Sequence, residues 1–443
     1  MWLLLAVLAF GEGVEPRLLN RDLTLQRDTW PGTFLLWEQD TSEGILFTWT
    51  AHRDTQLWTT STLALIHRRG PWSLVWEPLL KTGQDGVYPI QEFHGLFRSD
   101  FRRALLRWHP LSSLRLAAGR APLHFGESAR FPLLFSEEAP PMDFVAWQFR
   151  KGPLEFHHLL SQWPDLLARN TTYPGDTSPE FRAHRYLSFH GLSLTLGPLR
   201  LGFSEAFRYG GHMTFQFLFA NPFTLYYTNQ FNHYPMADGN ILWFFHGRWR
   251  PVPFLHLYGE FLVDDFQYAP DLYHEPNHLA WLVGLEGGRG AWAWHAEYAR
   301  ISAWVYNHFH AYDRFELYGI PTGHPFGPDL EMAWVRWQRR GPGFHLGVEL
   351  QWRVRGENRA DTPWPVPEDG PEVPGYRFPQ DNFLRGTPTR FLQGMVLWEW
   401  TSGKGLEVRG QAGFLWKQRA AERRSSPVAG IQLIWRFPGR PLP

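Results

Sequence analysis

Apolar and polar residues alternate with a period of two along much of this chain. From Phe344 to Val354 every second residue is apolar, and the residues between them are His, Gly, Glu, Gln and Arg. The stretch from Leu406 to Trp416 repeats the pattern, with Glu, Arg and Gln on its polar face. Such a period predicts β-strands with one apolar face. Because the polar face carries charges of both signs and the apolar face is rich in Trp and Phe, the pattern favours a transmembrane barrel over a soluble sandwich.

Short turns and long connections alternate between these segments. Long polar connections are predicted over 81–89, 121–141, 164–180, 209–240, 265–277, 302–329, 356–388 and 418–426. Outer-membrane barrels have this asymmetry, with short periplasmic turns and long extracellular loops. The tight-turn signals are Gly70-Pro71, His109-Pro110, Gly152-Pro153, Gly197-Pro198, Pro251-Val252-Pro253, Gly287-Gly288, Gly341-Pro342 and Ser402-Gly403.

The resulting prediction is an all-β fold, a closed antiparallel transmembrane β-barrel of about 18 strands. An even strand number places both termini on the periplasmic side, and closure leaves no free sheet edge. The predicted strands begin near Ile45, Thr55, Trp72, Gln91, Leu111, Met142, Pro153, Phe181, Pro198, Ile241, Phe254, His278, Gly290, Leu330, Gly343, Arg390, Gly405 and Pro427.

Composition supports this class and excludes others. Aromatic residues make up 17% of the 443 residues, yet the mean hydropathy is −0.35. No apolar run approaches the roughly 20 residues that a membrane-spanning helix needs. The absence of cysteine fits export without disulfides and excludes thiolate chemistry and Cys-ligated zinc. The net charge of zero gives no electrostatic footprint for nucleic acid.

The chain divides into three parts by sequence. An apolar run from Trp2 to Phe10 predicts a signal peptide over residues 1–13, residues 14–42 form a short periplasmic segment, and residues 43–443 form the barrel. We expect a monomer in the bacterial outer membrane, in contact with membrane lipid and lipopolysaccharide. The last strand ends in aromatic residues, up to Phe437, as barrel-assembly machinery requires of its substrates.

Several short motifs between residues 119 and 335 occur in an order that resembles the capsule-assembly outer-membrane family (Wzi-like). The resemblance implies a sugar-binding barrel that holds a surface polysaccharide, capsular or exopolysaccharide, without covalent chemistry. The motifs are Gly126-Glu127, Leu134-Phe135-Ser136-Glu137, Pro141-Met142-Asp143, Phe203-Ser204-Glu205, Ala220-Asn221-Pro222, Thr228-Asn229-Gln230, Asp238-Gly239-Asn240, Leu257-Tyr258-Gly259-Glu260-Phe261, Val263-Asp264-Asp265-Phe266, Ala296-Glu297-Tyr298, Tyr306 and Gly323-His324-Pro325-Phe326-Gly327-Pro328-Asp329.

Carboxylates, amides and aromatic residues near strand ends are the candidate glycan-binding groups, because sugars need hydrogen-bonding partners and stacking surfaces. The alternative is a lumen network that braces the barrel, the usual role of polar lumen residues. The candidates are Glu205, Asn221, Asn229, Gln230, Asn240, Tyr258, Glu260, Asp264, Asp265, Glu297, Tyr298, Tyr306, His324 and Asp329.

Catalysis, metal binding and cofactors are not expected. Asp264 and Asp265 are neighbours whose side chains diverge in a strand, so they cannot form a glycosidase pair by themselves. The chain has no GxSxG motif, P-loop or HExxH motif, and the adjacent His157 and His158 also diverge.

Two alternatives to polysaccharide binding remain open at this stage. A porin or substrate-specific channel also needs a polar lumen, and an outer-membrane hydrolase needs two accessible carboxylates about 5 to 9.5 Å apart. The discriminating feature for the channel is whether the long connection 209–240, with its apolar stretch 215–219, folds inward and blocks the pore. A plugged lumen favours the binding protein, and an open one favours transport.

Overall fold

A computed structural model describes residues 44–53, 57–82, 92–93, 97–172, 176–233, 239–266, 276–364, 382–402 and 405–438. The predicted signal peptide (1–13) and the predicted periplasmic segment (14–42) lie outside these residues. Most residues of the predicted connections 81–89 and 356–388 also lie outside the described residues.

Eighteen long strands close into one antiparallel barrel, which confirms the predicted fold class. The first and last strands pair with each other over residues 44–53 and 429–438, so the sheet has no free edge. The long strands are β1 (Gly44–Arg53), β2 (Leu57–Arg69), β3 (Trp72–Thr82), β5 (Phe97–Leu111), β6 (Leu114–Ala121), β7 (Met142–Lys151), β8 (Leu154–Ala168), β9 (Phe181–Leu196), β10 (Leu199–Gly211), β11 (Asn240–Val252), β12 (Leu255–Asp265), β13 (His278–Arg289), β14 (Trp292–Ile301), β17 (Leu330–Gly341), β18 (Phe344–Arg355), β19 (Thr389–Thr401), β20 (Leu406–Arg419) and β21 (Glu422–Pro438).

Short elements occupy the connections on the extracellular side. β4 (Glu92–Phe93) pairs with β5, and β15 (Glu316–Leu317) with β16 (Ile320–Pro321) forms a separate small hairpin. The connection after β10 contains two short helices, and the connection after β14 contains a single 3-10 turn at Ala311–Asp313. The helices are α1 (Phe217–Ala220) and α2 (Tyr226–His233).

The predicted alternation is confirmed. On β18 Phe344 and Leu350 are exposed on the outward face, whereas Glu349 and Arg353 are buried on the inward face. Near the tight turns, outward tryptophans stack in cross-strand pairs, as in Trp72 with Trp108 at 4.9 Å between ring centroids. Aromatic rows of this kind form the interface girdles of membrane barrels.

No helix among the described residues has the length and apolarity needed to cross a membrane.

The predicted loop over 418–426 is wrong, because β20 and β21 meet at a two-residue turn. Ala420 adopts the left-handed conformation there (φ 49°), and β21 begins at Glu422 rather than at Pro427. The mistake has a physical cause: Arg423 and Arg424 are exposed strand residues, and a strand that continues into water loses the apolar face by which it was identified.

Three further boundaries differ from the prediction. β5 begins at Phe97 rather than near Gln91, and it runs through His109-Pro110 to a turn at residues 112–113. The turn between β13 and β14 lies at residues 290–291, not at Gly287-Gly288. Gly287 is a packing glycine, since a Cβ there would lie 2.3 Å from the ring of Trp294.

Candidate functional site

The connection between β6 and β7, residues 122–141, folds into the lumen and is called the plug below. Phe125 shows the direction clearly, because its ring packs at 5.0 Å from Phe189 and 6.1 Å from Phe244. Those two residues lie on the inward faces of β9 and β11, opposite in parity to the exposed Leu192 and Phe245. The large apolar side chains of the plug are fully buried, so it packs as a core inside the barrel. They are Leu123, Phe125, Phe131, Leu133, Leu134 and Phe135.

Glu260 on β12 holds the plug backbone. Its carboxylate accepts hydrogen bonds from the backbone N–H of Ser128 and of Leu133, both at 2.7 Å. The plug approaches so closely that a Cβ at Gly126 (φ 156°) would lie 2.6 Å from Glu260 Oε1. Glu297 on β14 completes the anchor, since it accepts hydrogen bonds from Ser128 Oγ at 2.7 Å and from Tyr258 Oη at 2.6 Å.

Glu127 of the plug forms the second anchor, at the inward face of β11. Its carboxylate lies 2.7 Å from His246 Nδ1 and accepts a hydrogen bond from Arg248 Nε at 3.1 Å. Burial opposes ionisation of this group, but the hydrogen bond and charge of His246, with the charges of Arg248 and Arg200, lower the pKa of Glu127 to about 2. The plug therefore carries a buried, fully paired anion.

A third set of contacts fixes the far side of the plug. Arg130 forms an ion pair with Glu349 on β18, and its guanidinium lies 5.5 Å from the ring centroid of Trp334. Phe131 packs edge-on against the same Trp334 at 5.5 Å and stacks on His324 at 5.6 Å. Ion pairs from the plug thus reach strands β11 and β18, which lie well apart in the barrel.

The connection 302–329 covers the plug from the extracellular side. Tyr306 sits in the left-handed region (φ 68°) and donates its N–H to Asp264 at 2.5 Å. Its hydroxyl donates to the carbonyl of Leu133 in the plug at 2.5 Å and accepts from the N–H of His324 at 3.2 Å. A strained residue that joins three segments is kept in place by its contacts.

The connection 212–233 does not fold inward, which answers the question that the sequence left open. It packs on the outward wall of the barrel: Phe219 contacts Phe207 at 4.5 Å, and Phe223 contacts Phe156 at 5.8 Å. Phe207 shares its parity on β10 with the outward Leu201, which is half exposed. The plug and the 302–329 connection, rather than 212–233, occupy the lumen.

The structure brings seven of the sequence candidates together around the plug and its cover. Glu260 and Glu297 bind the plug directly, and Tyr258 donates to Glu297. Asp264, Tyr306 and His324 hold the covering connection. Asn240 belongs to the same region, since its amide donates to the carbonyl of Asn307 at 3.3 Å.

Asp329 and the other candidates lie elsewhere. The Asp329 carboxylate accepts backbone N–H groups of Asn358 and Arg385, both at 3.1 Å, and so ties together extracellular connections. Asn221, Asn229 and Gln230 belong to the 212–233 segment. Asp265 is partly exposed at the end of β12.

Glu205 and Tyr298 are on the outward wall. Glu205 accepts hydrogen bonds from Trp243 Nε1 and from the N–H of Tyr226, both at 2.8 Å, beneath the 212–233 segment. Tyr298 is bonded to Glu331 on the outward face of β17. The sequence contains a signal that Glu205 faces outward. It follows the outward Leu201 and Phe203 at steps of two along β10, and such residues share one face of a strand.

A strip of rings at the extracellular rim was not among the sequence candidates. His310 stacks on Tyr312 at 4.8 Å, Tyr312 lies 6.0 Å from Phe181, and Phe181 stacks on His212 at 3.9 Å. Phe309 continues the strip at 4.1 Å from His310. His212 is exposed and the other four rings are partly exposed, unlike Trp304 and Trp364, which are buried in the cluster behind them.

The two lumen carboxylates beneath the plug take part in anchoring it. Glu260 and Glu297 are buried beneath the plug and accept hydrogen bonds from it, so they do not border an open cleft. Within the described part of the chain, no group of three or more His, Cys, Asp or Glu residues is placed to hold a metal ion.

Comparison with solved structures shows the fold. No protein-family model matches the chain, and no curated protein matches it in sequence. Among solved structures, it resembles Wzi of Escherichia coli, described as a carbohydrate-binding β-barrel involved in group 1 capsule assembly. The TM-score is 0.63 at 14% identity, over 90% of this chain and 85% of that one.

Two further solved structures match with lower scores. OccAB4 of Acinetobacter baumannii has a TM-score of 0.47 at 9% identity, over 90% of this chain and 100% of that chain. OccK3 of Pseudomonas aeruginosa has a TM-score of 0.49 at 11% identity, over 90% and 96%. The chain is a bacterial outer-membrane β-barrel.

Proposed function

We propose that this barrel binds a surface polysaccharide, capsular or exopolysaccharide, at its extracellular mouth and organises it without covalent chemistry. The observation that carries the proposal is the plug: a segment fixed at Glu260, Glu127 and Arg130 occupies lumen space that a solute path would need. The likeness to Wzi, described as a carbohydrate-binding barrel, supports the same conclusion.

The rim strip (His212, Phe181, Tyr312, His310 and Phe309) supplies the surface that a sugar chain requires. Aromatic rings stack on the apolar faces of sugars, while neighbouring polar groups bind the hydroxyls. The strip is preformed, because the N–H of Thr172 donates to the carbonyl of Phe309 at 2.7 Å and so ties two connections together. A rigid row of rings loses little freedom on binding.

In this proposal, most of the residues predicted from the sequence support the extracellular mouth of the barrel and do not contact the sugar. Glu260, Glu297 and Asp264 are engaged with backbone and side-chain donors of the plug and its cover. Because these carboxylates are buried and bonded to the plug and its cover, they do not border the accessible cleft that a hydrolase needs. Asp265, which is partly exposed at the end of β12, remains a candidate for a sugar hydroxyl.

The test is binding of the purified, detergent-folded protein to the surface polysaccharide of its own host, measured by calorimetry. Replacing Tyr312 by Ala removes one stacking ring, worth about 1 kcal/mol, and should weaken the Kd about fivefold. Tyr318→Ala is the matched control, since Tyr318 is about half exposed on the same connection but lies outside the strip.

Three outcomes separate the alternatives. Saturable binding that weakens in the Tyr312 variant and not in the Tyr318 variant supports the proposal. If both variants bind the polysaccharide as tightly as the wild type does, the binding site lies outside the rim strip. If the polysaccharide has no effect at any concentration and the protein conducts a steady ion current in a planar bilayer, the protein is a channel instead.

A further inference from the structure

The 212–233 segment is called the flap here, and its composition sets it apart from the other extracellular connections. It contains no Asp, Glu, Lys or Arg, and it contains six Phe or Tyr residues between positions 215 and 227. Two of them, Phe217 and Phe223, are 86% and 81% exposed. An uncharged segment that presents large apolar side chains outward is suited to lipid rather than to water.

The contacts of the flap show that it descends along the outward wall. Phe215 lies 6.0 Å from Tyr186, near the extracellular end of β9, and Phe223 lies 5.8 Å from Phe156 on β8. Phe156 is only three residues beyond Pro153 of a periplasmic turn. With a rise of about 2.5 Å per residue along the membrane normal for a tilted strand, Phe156 lies about 8 Å above that turn. The apolar belt of such barrels is about 25 Å tall, so Phe223 is inside it.

Several polar side chains of the flap are hydrogen-bonded within the flap. Asn221 Oδ1 accepts from the N–H of Phe223 at 3.1 Å, and the Asn229 amide donates to Thr224 Oγ1 at 3.0 Å. Thr228 Oγ1 donates to the carbonyl of Leu225 at 2.9 Å. Internal pairing of this kind is what a hydrocarbon environment demands, because lipid offers no hydrogen bonds.

The flap also covers polar groups that would otherwise face lipid. His190 Nε2 lies 3.1 Å from Glu205 Oε2, and the ring of Tyr226 lies over His190 at 4.3 Å. Glu205 is seven residues beyond Pro198, about 17 Å above that turn by the same rise, and is therefore within the belt. A carboxylate at that depth is costly unless it is covered and bonded, and the flap does both.

We propose that the flap is inserted in the membrane, where Phe217 and Phe223 pack among lipid acyl chains as a continuation of the lipid-facing wall. The partner is the hydrocarbon of the bilayer, and the flap replaces lipid as the neighbour of Glu205, His190 and Trp243. This interaction is independent of polysaccharide binding, since the lipid-facing Phe217 and Phe223 are not part of the rim strip, with which the flap shares only His212.

The test uses the absence of native cysteine, which makes any introduced cysteine unique. Nitroxide labels are attached to Phe223→Cys and Phe217→Cys in protein reconstituted in phosphatidylcholine vesicles. The collision rates of each label are then measured with oxygen, which concentrates in lipid, and with a water-soluble nickel chelate. Their ratio reports whether the label lies in lipid or in water. Val145→Cys, on the outward face of β7, is the lipid control, and Glu180→Cys, in an extracellular connection, is the water control.

The expected result is an oxygen-to-nickel ratio at position 223 equal to that at 145 and several-fold above that at 180. Position 217 should be shallower than 223. A ratio at 223 equal to that at 180 overturns the proposal, because the flap is then in water. Low collision rates with both reagents, together with dipolar coupling between labels of two copies, also overturn it, because a second copy of the chain then covers the flap.

Discussion

Replacing Glu260 by Ala should release the plug from the barrel wall. The wild-type carboxylate accepts two backbone N–H groups of the buried plug, from Ser128 and Leu133, at 2.7 Å each. Without an acceptor, each buried donor costs about 1–3 kcal/mol, so the docked plug loses at least about 2 kcal/mol. That loss corresponds to a fall of about 30-fold in the equilibrium between docked and undocked plug.

Hydrogen exchange measures this equilibrium directly. Amides of residues 128 and 133 should exchange about 30-fold faster in the variant, provided that they exchange by local opening. The planar-bilayer current should rise in parallel. Glu331→Ala is the matched control, because Glu331 is a wall carboxylate whose side chain faces outward, away from the plug. Unchanged exchange and current in Glu260→Ala would refute the anchoring role of this carboxylate.

Three further perturbations test the same assembly. Gly126→Ala should undock the plug, because the new Cβ would lie 2.6 Å from Glu260 Oε1, and the planar-bilayer current should increase. Tyr306→Phe removes the hydroxyl that donates to Leu133 and should cost about 1 kcal/mol, measured as faster exchange in the plug without loss of the barrel. The pKa of Glu127 is lowered to about 2, so its stabilising contribution is complete above the ordinary glutamate pKa and is lost as the pH falls towards 2. The plug should therefore stay docked from pH 8 to 5 and loosen only in more acidic solution, and a current that already rises between pH 7 and 5 would contradict this.

The strands were predictable because their signal is local. The alternation from Phe344 to Val354 and the glycine-proline turns can both be recognised from neighbouring residues. Alternate residues of a strand face lipid or the lumen, so they differ in polarity. The prediction failed at β21, where the strand leaves the apolar belt and its outward face becomes charged. Period and polarity therefore identify the membrane-spanning part of a strand better than its extracellular end.

The roles of the candidate residues were less predictable, for two reasons. The plug is held by contacts such as Ser128 with Glu260, which join positions 132 residues apart, and several of them end on backbone N–H groups that carry no sequence signature. The flap is apolar, and an apolar segment packs equally well against a core or against lipid. Its outward direction could nevertheless have been inferred from Glu205, which contacts the flap and lies on the same face of β10 as Leu201 and Phe203.

The place of the plug in the chain also sets an order of assembly. The plug lies between β6 and β7, yet its anchors Glu260, Glu297 and Glu349 follow it by more than a hundred residues. A chain inserted strand by strand from its N-terminus would hold an undocked plug until the later half arrives, and closing such large loops is slow. In that order of insertion the barrel wall forms first, and the last event of folding is the filling of its interior.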